Sequence, residues 1–148
     1  MLEIKNLCVK YENIKAVTNI SFGIEEKACV AVVGANGAGK STLLKSIMGL
    51  KKADSGRIVF NNRDITDLPI HKRANLGMSF VPEGARVFPE ISVLGNLFIG
   101  AYRENEKNEI KKRFEYVFSL FPRLKERQNQ AAGHYPAEQG RCLPWQGL

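Results

Sequence analysis

The chain has 148 residues, of which 44% are hydrophobic, 25% charged and 9% aromatic, and its formal net charge is +7. Length and composition fit one soluble globular domain with its own core, and no apolar run approaches the length of a membrane-crossing helix. The start, MLEIKNLCVKYENIKAV, lacks the basic and apolar regions of a secretory signal, and the three Cys are too scattered for a disulfide framework or metal site, so free thiols in a reducing cytosol are expected.

Two strands are predicted first, LEIKNLCVKY by its alternation and AVTNISFGIEEK after it. ACVAVVG is a short continuous apolar run with three Val, the pattern of a strand buried on both faces. GANGAGKST follows directly, and then STLLKSIMGL, where Leu43, Leu44, Ile47 and Met48 fit one face of a helix. ADSG marks a turn and RIVFNN another strand. DLPIHKRANLG predicts a short helix with Pro69 in its first turn and Gly77 after its end. MSFVPEG reads as a strand running into a loop. VLGNLFIGAYR and KNEIKKRFEYVFSLFPRLKER both read as helices. In the second, Ile110, Phe114, Val117, Phe118 and Phe121 recur at helical spacing. That leaves the densest basic cluster on a solvated face, which argues against a nucleic-acid partner.

Gly34-Ala35-Asn36-Gly37-Ala38-Gly39-Lys40-Ser41 fits the phosphate-loop pattern G-x-x-x-x-G-K-[ST]. A polyphosphate needs closely spaced N–H donors, and a glycine-rich backbone can wrap tightly enough to supply them. The positive end of the next helix adds attraction. In this pattern Lys40 reaches the β- and γ-phosphates of a nucleoside triphosphate, and the Ser41 hydroxyl, with Thr42 beside it, ligates Mg²⁺. The N-K-x-D motif of a GTPase does not occur. Tyr11 stands twenty-three residues before Gly34, where an aromatic ring can stack on adenine.

KNLCVKYENIKAVTNISFGI, VVGANGAGKSTLLKSIMGL, DSGRIVFNNRDIT and FVPEGARVFPEISVLGNL together resemble the ATP-binding subunit of an ABC transporter. The likeness is greatest to the ATPases of branched-chain amino acid importers, and it covers residues 1 to about 133. It implies an α/β fold, an incomplete P-loop NTPase domain of the ABC type: a β-rich N-terminal part, the P-loop core and the start of a helical subdomain from about residue 91. It also implies that Tyr11 stacks on adenine, that Gly34 to Thr42 hold the phosphates and Mg²⁺, and that Glu83 stands at the Q-loop position, where most of the family has Gln. A carboxylate there still offers an oxygen to the metal. The implied partners are a second ABC ATPase subunit and transmembrane permease subunits. The implied location is peripheral, on the cytoplasmic face of the inner membrane, and the implied activity is ATP hydrolysis that drives transport.

The family's LSGGQ signature, its strand ending in Asp-Glu and its switch His are all missing from the sequence, so no catalytic set is complete. His71 and His134 read as surface histidines. Residues 134–148 match nothing in the pattern. The codons of Tyr135, Pro136, Ala137 and Glu138, read one base early, permit Leu-Ser-Gly-Gly at the place where the signature belongs. The expectation is a frameshift near Gly133, in the gene or in its sequencing, that ends the chain early. Negligible ATP turnover, weak nucleotide affinity and an aggregation-prone apolar edge around Val30 to Val33 are then expected.

Overall fold

In the computed structural model of the chain, the alternating stretch LEIKNLCVKY is strand β1, Leu2–Tyr11. The structure describes residues 1–82, 87–102 and 104–134. Glu83 and residues 135–148, where the altered tail is expected, lie outside the described residues. The chain divides into two compact units, Met1–Met78 and Ser79–Leu148.

In the first unit β1 pairs antiparallel with β2 (Ile14–Ile24), the hairpin closing Tyr11 on Ile14. Its other edge pairs with β3 (Ser55–Phe60), and β4 (Arg63–Asp64) completes the order β2-β1-β3-β4. Strict alternation would send Ile4 and Leu7 to opposite faces of the sheet. A register shift between them, with Asn6 at φ 48°, brings both into the core with Val9. Gly56 of β3 lies against this bulge, where a Cβ would come within 2.6 Å of the Leu7 Cα. The core is completed by Val17, Ile58 and Ile65, and by Leu43 and Ile47 of helix α1 (Lys40–Ile47). Leu44 is exposed, so the apolar face of α1 is narrower than its sequence suggests. Helix α2 (Ile70–Asn75) follows Pro69, which caps the helix from just outside its first turn, and Gly77 stands beyond its end at φ 87°.

Two expected strands do not form. ACVAVVG forms no regular element: among the described residues no strand pairs with it, and Val30, Val32 and Val33 are 52%, 42% and 92% exposed. A fully apolar run becomes a central strand only where both its edges find partners, and the described residues supply none. MSFVP has no ladder among the described residues either, and Val81 is exposed.

The second unit is helical: α3 (Val93–Gly100), α4 (Lys107–Leu120) and α5 (Pro122–Glu126). The basic segment expected as one helix breaks at Phe121, because Pro122 opens α5 at a position where no N–H is needed. Val93, Leu97, Ala101, Phe114, Val117 and Leu124 form its core, with Ile110, Phe118 and Phe121 partly buried against it. The Ser92 hydroxyl caps α3 by accepting from Gly95 N at 3.1 Å. A short main-chain ladder joins the lead-in of α3 to the segment after α5: Val93 N donates to Gln130 O, Ala132 N to Ile91 O and Gly133 N to Pro89 O, each at 2.9 Å.

Asn96 is fully buried beneath that lead-in. Its Nδ2 donates to the carbonyls of Phe88, Ile91 and Ser92 at 3.0 Å each, and its Oδ1 accepts from Phe88 N at 2.8 Å. Phe88 O, Ile91 O and Ser92 O keep main-chain donors without it, whereas Phe88 N loses its partner. Asn96→Leu is therefore expected to cost about 2 kcal/mol, read as a lower urea midpoint. An unchanged midpoint would show that other groups hold the segment.

Candidate functional site

The glycine loop runs from Gly34 into α1 without a regular element of its own. Gly37 and Gly39 adopt φ of 83° and 89°, the left-handed region that glycine enters without strain. At Gly39 the requirement is also steric, since a Cβ there would collide with the Ala16 carbonyl oxygen of β2. The loop is thus seated on β2 by a contact that admits only glycine. Ala38 N donates to Ala35 O at 3.2 Å and closes the turn.

Lys40 is the first residue of α1, and its ammonium donates to Gly34 O and Ala35 O at 2.7 Å each. The side chain thus bends back across the loop. Gly39 caps α1 with no side-chain hydrogen bond, and the first turn holds no acidic residue. Its leading N–H groups therefore have no acceptor from a capping side chain, and the positive pole of the helix is not neutralised. Ser41 is exposed in this first turn and Thr42 is half-buried. A lysine ammonium folded over the loop and an unneutralised helix N-terminus suit an anion by charge.

Tyr11 ends β1, partly exposed, with the Lys51 ammonium 4.6 Å from its ring centroid. The sequence pattern gave no hint of Lys51, nor of Arg73 behind α1. Arg73 is 2% exposed and donates to four main-chain carbonyls, those of Ser46, Ile47, Thr66 and Leu68. Burial pulls its pKa down, and the Asp67 carboxylate pulls it back up. The Lys51–Tyr11 contact and the bonds of Arg73 to Ser46 and Ile47 span long stretches of sequence and carry no local signal. His71 and His134 are exposed, and Cys8 and Cys29 are free thiols, as expected. No cluster of His, Cys, Asp or Glu among the described residues could hold a metal by itself.

The second unit carries a groove of about 810 Å³ between α3 and α4. Leu94, Phe98, Ile110, Phe114 and Phe118 line it, and Phe98 meets Phe114 edge-on at 4.8 Å. Lys107, Lys111 and Lys125 stand among the lining residues with a single carboxylate, Glu115, so the charged part of the lining is basic on balance. No helix among the described residues is long and apolar enough to cross a membrane.

The family model described as ABC transporter matches residues 17–138. The probable branched-chain amino acid transport ATP-binding protein LivF of Archaeoglobus fulgidus is 38% identical over 133 residues, which are 90% of this chain and 56% of that protein. The high-affinity branched-chain amino acid transport ATP-binding protein BraG of Pseudomonas aeruginosa is 37% identical over 133 residues, 90% of this chain and 57% of the relative. The lipopolysaccharide export system ATP-binding protein LptB of Escherichia coli K12 is 32% identical over 122 residues, 76% and 51% of the two chains. The chain thus spans about half the length of these curated relatives. Among solved structures, an ATP-binding subunit of an ABC transporter superposes with a TM-score of 0.84 at 25% identity, covering 97% of this chain and 59% of that one. An ATP-binding cassette in its ADP conformation gives a TM-score of 0.76 at 27% identity, covering 97% and 64%.

Proposed function

We propose, from the premise that this chain belongs to the ABC transporter family, that it supplies the nucleotide-gripping part of an ATP-binding subunit that drives transport across a membrane. The observation that carries the reading is the Gly34–Lys40 loop, with glycine enforced at its seat on β2 and an ammonium closing its mouth. Residues 1–133 make up the cassette part in this reading, with the helical subdomain from about 91.

The loop amides and the first turn of α1 bind the phosphates of ATP. The Lys40 ammonium exchanges two carbonyl partners for phosphate oxygens, which bear full charge and so hold it more strongly. Ser41 offers its hydroxyl to Mg²⁺, with Thr42 beside it, and Glu83 offers a carboxylate oxygen. Mg²⁺, when bound, supplies the Lewis-acid charge that such a phosphoryl group requires. Tyr11 presents a ring face to the base. The groove between α3 and α4, apolar with lining charges that are basic on balance, is the surface for a permease subunit. A second cassette completes the assembly, peripheral to the membrane on its cytoplasmic face.

Branched-chain amino acids are the proposed cargo, on the strength of the relatives LivF and BraG. A molybdate/tungstate import relative at 40% identity and a lipopolysaccharide export relative at 32% stand at similar levels, so overall likeness does not fix the cargo. A second reading, a nucleotide-binding module that does not turn over alone, is favoured by the unpaired Val30–Val33 run. The segment that delivers the loop has no sheet beneath it among the described residues.

Titration of the chain with a fluorescent ATP analogue tests the grip. Lys40→Ala is expected to weaken binding at least about tenfold, because a charge-assisted contact worth about 1.5–3 kcal/mol is lost. Equal affinity of the variant and the parent chain would remove the reading.

A further inference from the structure

We propose that Lys51 is a positioning residue for the base of a bound purine nucleotide and that it acts through Tyr11. The inference rests on the reading of Tyr11 as the platform for the base. The Lys51 ammonium lies over the Tyr11 ring, 4.6 Å from its centroid. Its main chain is held on both sides: the buried Ser46 hydroxyl donates to Lys51 O at 3.0 Å, and Lys51 N donates to Lys45 O at 3.2 Å. Three residues on, Asp54 is tied to β1 twice, its N donating to Cys8 O at 2.9 Å and its Oδ2 accepting from Lys10 N at 2.7 Å. The short segment that carries the ammonium is therefore pinned to β1 immediately before Tyr11.

The loop and Lys51 approach β1 from its two different edges. The loop reaches the sheet on the β2 side of β1, where Gly39 meets Ala16. Lys51 arrives on the β3 side, through Asp54 and the Cys8–Ser55 pairing. Lys51 covers one face of the ring, Tyr11 is 43% exposed, and the base stacks on the other face. A cation on one face draws π density toward itself, and an electron-rich purine stacks better on the depleted face. The same contact restricts the ring's rotation before any ligand arrives, which lowers the ordering cost of binding. Lys51 acts on the base and has no part in holding the phosphates.

The test uses the full 148-residue chain and displacement of a trinitrophenyl-ATP probe by two competitors, ATP and inorganic tripolyphosphate. Lys51→Met is expected to weaken ATP about 2- to 5-fold and to leave tripolyphosphate unchanged, and Lys51→Arg restores the difference. Equal weakening of both competitors overturns the inference, since a general structural role moves them together. So does a variant with neither affinity changed. Tyr11→Ala separates the two levels. Where it lowers the ATP-to-tripolyphosphate ratio and Lys51→Met does not, only the role of Lys51 falls. Where it leaves the ratio unchanged, the base platform falls and takes the inference with it.

Discussion

Arg73→Met is expected to cost the Met1–Met78 unit about 3 kcal/mol of stability, a large share of the 5–15 kcal/mol that holds an ordinary domain together. Arg73 Nε donates to Leu68 O at 2.7 Å, Nη1 to Ser46 O at 2.9 Å and Ile47 O at 2.6 Å, and Nη2 to Thr66 O at 2.8 Å. The Ser46 and Ile47 carbonyls are among the last of α1, which end unpaired in any helix, and they form its negative pole. One guanidinium therefore caps α1 and joins it to the loop between β4 and α2. Methionine keeps the volume and offers no donor. Carbonyls left buried without a partner cost about 1–3 kcal/mol each, partly offset because Ser46 O also accepts from Gly49 N. Arg73→Lys should recover only part of the loss, because an ammonium cannot span four acceptors arranged around a planar fork. Gly49 belongs to the same arrangement: at φ 74°, a Cβ there would stand 2.9 Å from Arg73 Nε. Urea denaturation followed by circular dichroism measures the effect, and a midpoint shift equivalent to under 0.5 kcal/mol (roughly a surface substitution) would sink it.

Gly39→Ala is expected to abolish nucleotide binding, while Gly37→Ala keeps most of it. Both glycines have positive φ, so each substitution carries the left-handed penalty of about 1–2 kcal/mol. The difference lies in what surrounds them. A Cβ at Gly37 meets nothing within 4 Å, whereas one at Gly39 collides with the Ala16 carbonyl. To relieve that clash the loop must lift from β2, and the lift carries away the start of α1 and with it Lys40. Titration of both variants with the fluorescent analogue is decisive. Equal retention of affinity would mean that the seat on β2 is dispensable.

Local signals carried much of the fold into the sequence. Strand β1 keeps the bounds its alternation predicts, and α2 lies between Pro69 and Gly77, although Pro69 stands just before the first turn and not within it. What the sequence did not reveal is non-local. The bulge at Asn6 that unites Ile4 with Leu7 depends on Ser21 and Gly56, which meet it across the sheet. Arg73 is 26 and 27 residues from the two helix carbonyls that it caps. ACVAVVG misled for the opposite reason: its composition states what it could pair with, and pairing needs neighbours that the described residues do not provide. At the site, the loop and its lysine were legible, while the ammonium behind Tyr11 was not.

The ladder from Pro89 to Val93 against Gln130 to Gly133 has a consequence for how this fold tolerates change. The chain departs and returns through the same stitch, so everything between is a detour whose ends already touch. Stretching such a detour costs only about 0.6 kcal/mol for each doubling of its length, because closure entropy grows logarithmically. Insertions among α3, α4 and α5 are therefore cheap, whereas a single misfit within the stitch sets both ends adrift.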